Sequence, residues 1–465
     1  MKSKKEGCWM KSNSESRNEL RLLLTLALPT VIEQFLMTVV QYVDTAMVGH
    51  LGAEASAAVG VTSTMVWLSN APLYAMGVGV LANIARASGE GDEEQIKKVA
   101  MQAVWLTGIV GLAEGVLMVG ISPVIPNILG AEAAIRRTAA HYYLIVSIPM
   151  IFRAGILILG AGLRGVREVK KPMWINIGIN ILHLFLNFLL IYPSRTVLIG
   201  NTNLHIWGAG FGVEGAATAT GISFSVGGML MAAVFLTNQE LGICKEKICF
   251  DRETMLSCVK IGLPVAFERI FVSLGHVVFT AFVTSLGTVC LAAHTIALTA
   301  EQAFYIPGYG MQAAVSTLIG NALGEKDEKR VRRICKLSAC CAVIIMTIGG
   351  ALLFLGAETM MKLFTPELEV VRMGASVLRL VALSEPVFAV VIICEGIYNG
   401  AGYTKVPFFI SLSSMWGVRL LSSWICIFVF KQGLIVVWLC MIADTVCRCL
   451  CSTIVYLRGN WLKAR

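Results

Sequence analysis

Charge is what this chain has least of. Only 14% of its 465 residues are Asp, Glu, Lys or Arg, against about a quarter in soluble globular proteins. With 56% of residues apolar and a mean hydropathy of +0.74, no single water-facing fold could bury the surplus. Enzyme signatures are missing too. There is no Gly-rich Walker A cradle, so the chain is not expected to consume ATP. Neither HExxH nor GxSxG nor a paired-carboxylate hydrolase pattern occurs, and no enzyme activity is expected. Fourteen cysteines are present, but none forms a CxxC pair with metal-ligand spacing. Cys447, Cys449 and Cys451 cluster inside an apolar run, where a free thiol serves as a small hydrophobe. No A-x-A-like cleavage site follows the Lys-rich stretch up to Arg21, so the first apolar run reads as a span.

What the chain has instead is long apolar runs, each able to cross a bilayer at about 20 residues. Their boundaries predict twelve helices, approximately 21–48, 55–84, 99–122, 139–163, 173–192 and 212–237, then 256–285, 290–322, 334–357, 371–400, 406–430 and 433–457. The fold class expected is an all-α polytopic membrane protein. The net charge of +9 invites a nucleic-acid reading, but the basic residues lie in short loops between spans. Lys and Arg number 27 on the side of the even loops and both termini, and 6 on the other. The positive-inside rule then puts both termini in the cytoplasm.

An internal repeat organises the chain. A shift of 235 residues lays the first half on the second without gaps, with 22 identities over the 72 positions 28–99. Leu28-Pro29 meets Leu263-Pro264, Leu51-Gly52 meets Leu286-Gly287, and Ala57-Ala58 meets Ala292-Ala293. The loop Ala87-x-Gly89-Glu90-x-Asp92-Glu93 meets Ala322-x-Gly324-Glu325-x-Asp327-Glu328. Six spans per copy is an even number, so both copies enter from the same side. Parallel repeats of this kind are related by an axis along the membrane normal, and rocking one against the other gives alternating access. The expected organisation is a cytoplasmic segment 1–20, an amino lobe 21–237, a linker 238–255, a carboxyl lobe 256–457 and a cytoplasmic tail 458–465. With no ATP site, the energy must come from an ion gradient. One charge falling through 100 mV supplies about 2.3 kcal/mol, enough for a substrate ratio of about 10–100.

Ionisable residues inside spans are costly and therefore mark candidate sites. Glu33 and Asp44 are eleven residues apart, about 1100° of helix rotation, and so share one face with Gln41 between them. In the second copy Glu33 recurs as Glu268, whereas Asp44 becomes Phe279. A carboxylate kept in only one copy points to an ion- or proton-binding role; the alternative is an interhelical hydrogen bond. Glu33, its neighbour Gln34, and Glu268 are candidates for coupling or substrate contact, or equally acceptors near a helix-bending proline. Glu301, with Tyr305 close by, and Glu385, just before Pro386, could contact a cationic substrate. Asn180, His183 and Asn187 lie on one face of the fifth span, as interhelical glue or as ligands shared with Asp44. Asp444 and Arg448, four apart, read as an intrahelical pair.

Ala27-Leu28-Pro29, Tyr42-Val43-Asp44-Thr45, Gly52 with Ala57-Ala58, Gly89-Glu90-x-Asp92, Gly212-Val213-x-Gly215-Ala216-Ala217 and Leu263-Pro264 resemble the multidrug and toxic compound extrusion (MATE) family, in its bacterial NorM-like and DinF-like form. The resemblance covers nearly the whole chain. It implies two six-helix lobes forming a V, and export of organic cations or amphipaths in exchange for inward H⁺ or Na⁺. It places Asp44 at the amino-lobe ion site, with Asn187 and Thr220 beside it. No other cofactor is implied, and a monomer in the bacterial inner membrane suffices for the mechanism. Three positions depart from the pattern. Val272 and Phe388 stand where sodium-coupled members carry carboxylates, with Glu268 and Glu385 one turn earlier, and Asn187 stands where many members have Asp. A flippase for lipid-linked glycans or peptidoglycan precursors is the alternative within transport. It calls for a cationic cleft, whereas away from the span ends the only basic residues are Arg153, Arg269, Arg379, Arg419 and Arg448.

Overall fold

The computed structural model describes residues 2–199, 202–243 and 249–463. Residues 200–201, in the loop after the fifth span, and 244–248, in the expected linker, lie outside the described residues, as do 1, 464 and 465. In the first copy, helix α1 runs Lys2–Gly49, α2 Ala53–Glu90, α3 Glu93–Ile121, α4 Arg136–Ser147, α5 Met150–Gly165, α6 Lys170–Leu190 and α7 Gly212–Thr237. In the second, α8 runs Arg252–Thr284, α9 Thr288–Gly324, α10 Glu328–Phe364, α11 Leu368–Ala382, α12 Glu385–Gly400, α13 Lys405–Val429 and α14 Leu434–Arg458. Among the described residues, ten of these helices are long and apolar enough to cross a membrane.

The expected spans 139–163 and 371–400 are not single helices. Each is a pair, α4 with α5 and α11 with α12, bent by 54° and 56°. Pro149 sits at the first break and Pro386 in the first turn after the second. A proline lacks an amide hydrogen and crowds the preceding turn, so it starts helices more readily than it continues them. Counting each pair once gives twelve spans. The all-α expectation also needs an addition. Between α6 and α7 the chain forms an antiparallel hairpin, β1 Pro193–Ile199 with β2 Thr202–Ala209, in which Thr196 pairs with His205.

The 235-residue offset recurs in the helix boundaries themselves. Ala53 and Thr288, Glu93 and Glu328, Met150 and Glu385, and Lys170 and Lys405 begin matching helices. The turn after the first helix needs a left-handed residue in each copy, and Gly52 (φ 115°) and Gly287 (φ 105°) supply it. The Gly-Glu-x-Asp-Glu loop owes its pattern to helix capping. Asp327 accepts the amide of Arg330 at 3.0 Å, and an acidic first turn suits the positive end of α10.

The contacts divide the chain into two compact units. One comprises Met1–Phe35, Leu81–Asp92 and Leu263–Arg465. Within it α1 meets α9, where the Thr30 hydroxyl donates to the Gly310 carbonyl at 2.8 Å. The end of α2 crosses the end of α9 there, with the Asn321 amide donating to the Ala85 carbonyl at 2.6 Å. The crossing is close enough to exclude side chains. A Cβ on Gly89 would lie 1.9 Å from the Asn321 oxygen, and one on Gly324 2.1 Å from the Arg86 oxygen. These two contacts are images of each other under the 235-residue offset, since Gly89 maps to Gly324 and Arg86 to Asn321. The other unit comprises Leu36–Val80 and Glu93–Gly262. In it a Cβ on Gly79 would lie 2.1 Å from the Cys258 carbonyl, so α2 and the start of α8 are equally close. Large apolar side chains point outward in both copies, as with Val116 on α3 and Leu355 on α10, which is 80% exposed. A surface of this kind is stable under hydrocarbon, not under water.

Candidate ion-coupling site

The amino-copy candidates converge within one unit. On α6 the four-residue spacing of His183 and Asn187 puts both on one helical face, and both are buried. The Asn187 amide nitrogen donates to Asp44 Oδ1 from α1. His183 Nδ1 lies 3.6 Å from Asp44 Oδ2, and its Nε2 lies 3.1 Å from the Thr220 hydroxyl of α7. Three helices thus bring Asp44, His183, Asn187 and Thr220 together. Asn180 is half-buried one turn earlier on α6, and among the described residues no hydrogen bond joins it to the group. Sequence reasoning missed Tyr142 of α4, which packs against Val48, Ile191 and Ala216 beside this group. Nothing in the local sequence of α4 announces that proximity.

Chemically the group offers oxygen ligands. Asp44 contributes a carboxylate that is one-third exposed, and Thr220 a hydroxyl. Asn187 Oδ1 is buried without a hydrogen-bond partner, although buried polar atoms are nearly always satisfied. A carboxylate with a free amide oxygen and a hydroxyl fits a hard cation. The carboxylate alone would hold a proton.

The carboxyl-copy candidates are placed separately, in the other unit. Glu268 is buried on α8 and accepts the Ser411 hydroxyl at 2.5 Å. Glu301 on α9 and Glu385 at the start of α12 are both buried. Neither Glu385 oxygen has a hydrogen-bond partner. Tyr305, Tyr309 and Phe388 pack edge to face, with centroids 5.6–6.4 Å apart, so the aromatic at 388 belongs to this cluster. Glu33 is buried on α1, and Gln34 beside it is exposed; both belong to this unit, whereas Asp44 belongs to the other.

The Asp444–Arg448 pair forms as expected, at 3.0 Å, but it is only part of a larger group. Arg419 Nη2 lies 2.7 Å from the other Asp444 oxygen, and the Ser414 hydroxyl donates to Oδ1 at 2.5 Å. Arg419 and Ser414 belong to a π-helical turn of α13, Ser414–Leu420, which widens the helix there. Their nearness to α14 is a packing fact with no sequence signal. Glu114, a buried in-span carboxylate on α3, was also passed over, though a scan for charges within spans finds it.

Comparison with known proteins fits the repeat. The MatE family model matches twice, over residues 29–189 and 264–425. The chain belongs to the MatE family. It is therefore a multi-pass secondary transporter and not an enzyme. Among its relatives is the probable multidrug resistance protein NorM of Thermotoga maritima, 25% identical over 448 residues, covering 95% of this chain and 93% of that one. Multidrug resistance protein PmpM of Pseudomonas aeruginosa is 25% identical over 416 residues, covering 87% and 83%. Among solved structures, an outward-facing multidrug resistance MATE transporter of the MOP superfamily superposes with a TM-score of 0.88 at 21% identity. That match covers 96% of this chain and 97% of the other. A MOP superfamily transporter from Pyrococcus furiosus superposes at 0.87, again at 21% identity, over 96% and 97%. At such identities the superpositions speak for the fold alone.

Proposed function

We propose that the chain exports organic cations or amphipathic compounds in exchange for inward H⁺ or Na⁺, with Asp44 as the coupling carboxylate. The observation that carries the reading is the convergence of Asp44, His183, Asn187 and Thr220 from three helices at a position the second copy fills with Phe279. A need common to both copies would keep the carboxylate in both. Its loss from one fits a site. The names borne by NorM and PmpM, both multidrug resistance proteins, support the same substrate class.

In this reading the lobes 21–237 and 256–457 form a V around a central cleft and rock about the linker 238–255. Inward ion arrives at Asp44 from outside and neutralises it, and the exported compound is released. Return of the ion to the cytoplasm resets the site. Glu268, Glu301, Glu385, Glu33, Gln34 and Tyr305 line the second half of the path and contact substrate or ion. Both termini face the cytoplasm of a bacterial cell, and one copy of the chain is sufficient.

The test uses purified protein in liposomes loaded with a fluorescent organic cation. A pH gradient and a Na⁺ gradient are imposed separately on the native chain and on Asp44→Asn. Release driven by one gradient, and lost in the variant, is expected and names the coupling ion. Undiminished release by Asp44→Asn would overturn the assignment.

A further inference from the structure

At the end of the molecule that carries the basic loops, the first helix of one copy is clamped to the third of the other. The α1 extension reaches α10, where Glu19 Oε1 accepts Arg330 Nε at 2.8 Å and Glu15 Oε2 accepts Arg333 Nη2 at 2.6 Å. Glu19 and Arg330 are 13% and 15% exposed, so their charges are shielded from solvent more than an ordinary surface pair. Arg330 also donates to Glu325 of the preceding turn.

The offset repeats the arrangement in part. Lys98 of α3 stands where Arg333 stands in α10, and Asp251 stands opposite Ser16, next to Glu15. Asp251 caps α8. The Thr254 hydroxyl and amide, donating at 2.5 and 3.2 Å, hold its carboxyl below the usual range, and Lys98 adds a smaller pull. One turn along α3 from Lys98, the Gln102 side-chain amide donates to the Cys249 carbonyl, 2.9 Å away. The matching place thus keeps an approach of the third helix, α3, to the segment before the other copy's first helix, but not the principal ion pair: Glu19 maps to Thr254 and Arg330 to Gln95, and Lys98 pairs with Glu94 at 2.7 Å. The reason to read the α1–α10 contact as a device is that two ion pairs, one of them largely shielded, join helices of different copies where the other side has hydrogen bonds.

We propose that these cross-copy ion pairs are a latch that holds the cytoplasmic end shut, and that Glu19–Arg330 is its principal bond. In the alternating-access reading, opening toward the cytoplasm parts the two copies and with them α1 from α10, which one compact unit holds together here. Beneath the latch lies the α2–α9 crossing at Ala85, Gly89, Asn321 and Gly324, which closes by backbone contact and the single hydrogen bond of the Asn321 amide to the Ala85 carbonyl. The crossing supplies the seal and the ion pairs supply the hold. The proposal rests on the alternating-access reading above, but its measurement does not need transport.

The experiment is hydrogen–deuterium exchange on the full chain in nanodiscs, read at 81–92 and 316–328. Glu19→Arg and Arg330→Glu, each alone, put like charges together and are expected to speed exchange there by about 5–30-fold. The double variant Glu19→Arg/Arg330→Glu restores the pair in reverse, although the carboxylate at 330 then faces Glu325, and is expected to bring exchange below that of both single variants. Exchange along α6 reports whether each variant is folded, and the milder Glu19→Gln serves if a reversal is not. Native exchange in all single variants, or a double variant no slower than the singles, overturns the latch. If the exchange pattern appears but no gradient drives efflux from liposomes, the export reading fails and the latch stands.

Discussion

Asp444 is fully buried between two guanidinium groups, which makes its replacement the sharpest test of the structure. Arg419 and Arg448 approach it at 2.7 and 3.0 Å, and the Ser414 hydroxyl at 2.5 Å. Asp444→Asn keeps the shape and removes the only anion of the triad, leaving two cations to face one another in a low-dielectric interior. Breaking a buried ion pair from one side costs about 3–5 kcal/mol. Arg448→Gln leaves a neutral one-to-one pair and loses one charge-assisted hydrogen bond, about 1.5–3 kcal/mol. The expected order of destabilisation is therefore Asp444→Asn above Arg448→Gln. Arg419→Gln also leaves a neutral pair and falls between the two, because Arg419 is the more buried arginine and also lies 5.7 Å over the Phe279 ring. The assay is thermal unfolding in detergent at one fixed scan rate, since membrane proteins of this size unfold irreversibly. An Arg448→Gln midpoint as low as that of Asp444→Asn would refute the reasoning. So would an Asp444→Asn midpoint equal to that of the native chain.

Two further substitutions test the packing. Ser411→Ala removes the hydroxyl that hydrogen-bonds buried Glu268 and should cost about 1.5–3 kcal/mol; Ser413→Ala, exposed and bonded only to its own helix, should stay within about 0.5 kcal/mol in the same melting assay. Gly89→Ala places a methyl group against the Asn321 carbonyl and should lower stability by about 1–3 kcal/mol, whereas Gly178→Ala, with open space around it, should raise or preserve it. A melting temperature for Gly89→Ala at or above that of Gly178→Ala would show that α2 and α9 do not cross as described.

The crossing that Gly89 makes was half legible. The recurrence of Gly89-Glu90-x-Asp92 as Gly324-Glu325-x-Asp327 could be read from the chain, but not that the two glycines lie against each other's helix. Asp44 is similar. Its burial cost and its absence from the second copy singled it out, and the period of α6 aligned His183 with Asn187. Tyr142 and Arg419 stayed hidden, because each reaches its partner from a separate helix.

By itself the sequence determined what depends on composition and local period. Its apolar runs dictate a polytopic helical membrane protein, and its 235-residue offset dictates a duplicated pattern of helices. The breaks at Pro149 and Pro386 lie outside that reading, and the structure divides the expected spans 139–163 and 371–400 there. Only the tertiary structure decided which residues meet. It joined Asp44 to Asn187, placed Arg419 on Asp444, and clamped Glu19 to Arg330 across 311 positions. The reason is physical. Helix formation and membrane insertion answer to neighbours within about a turn and to hydropathy within about 20 residues. Pairing between helices depends on rotation and depth, which the packing of every other helix sets together.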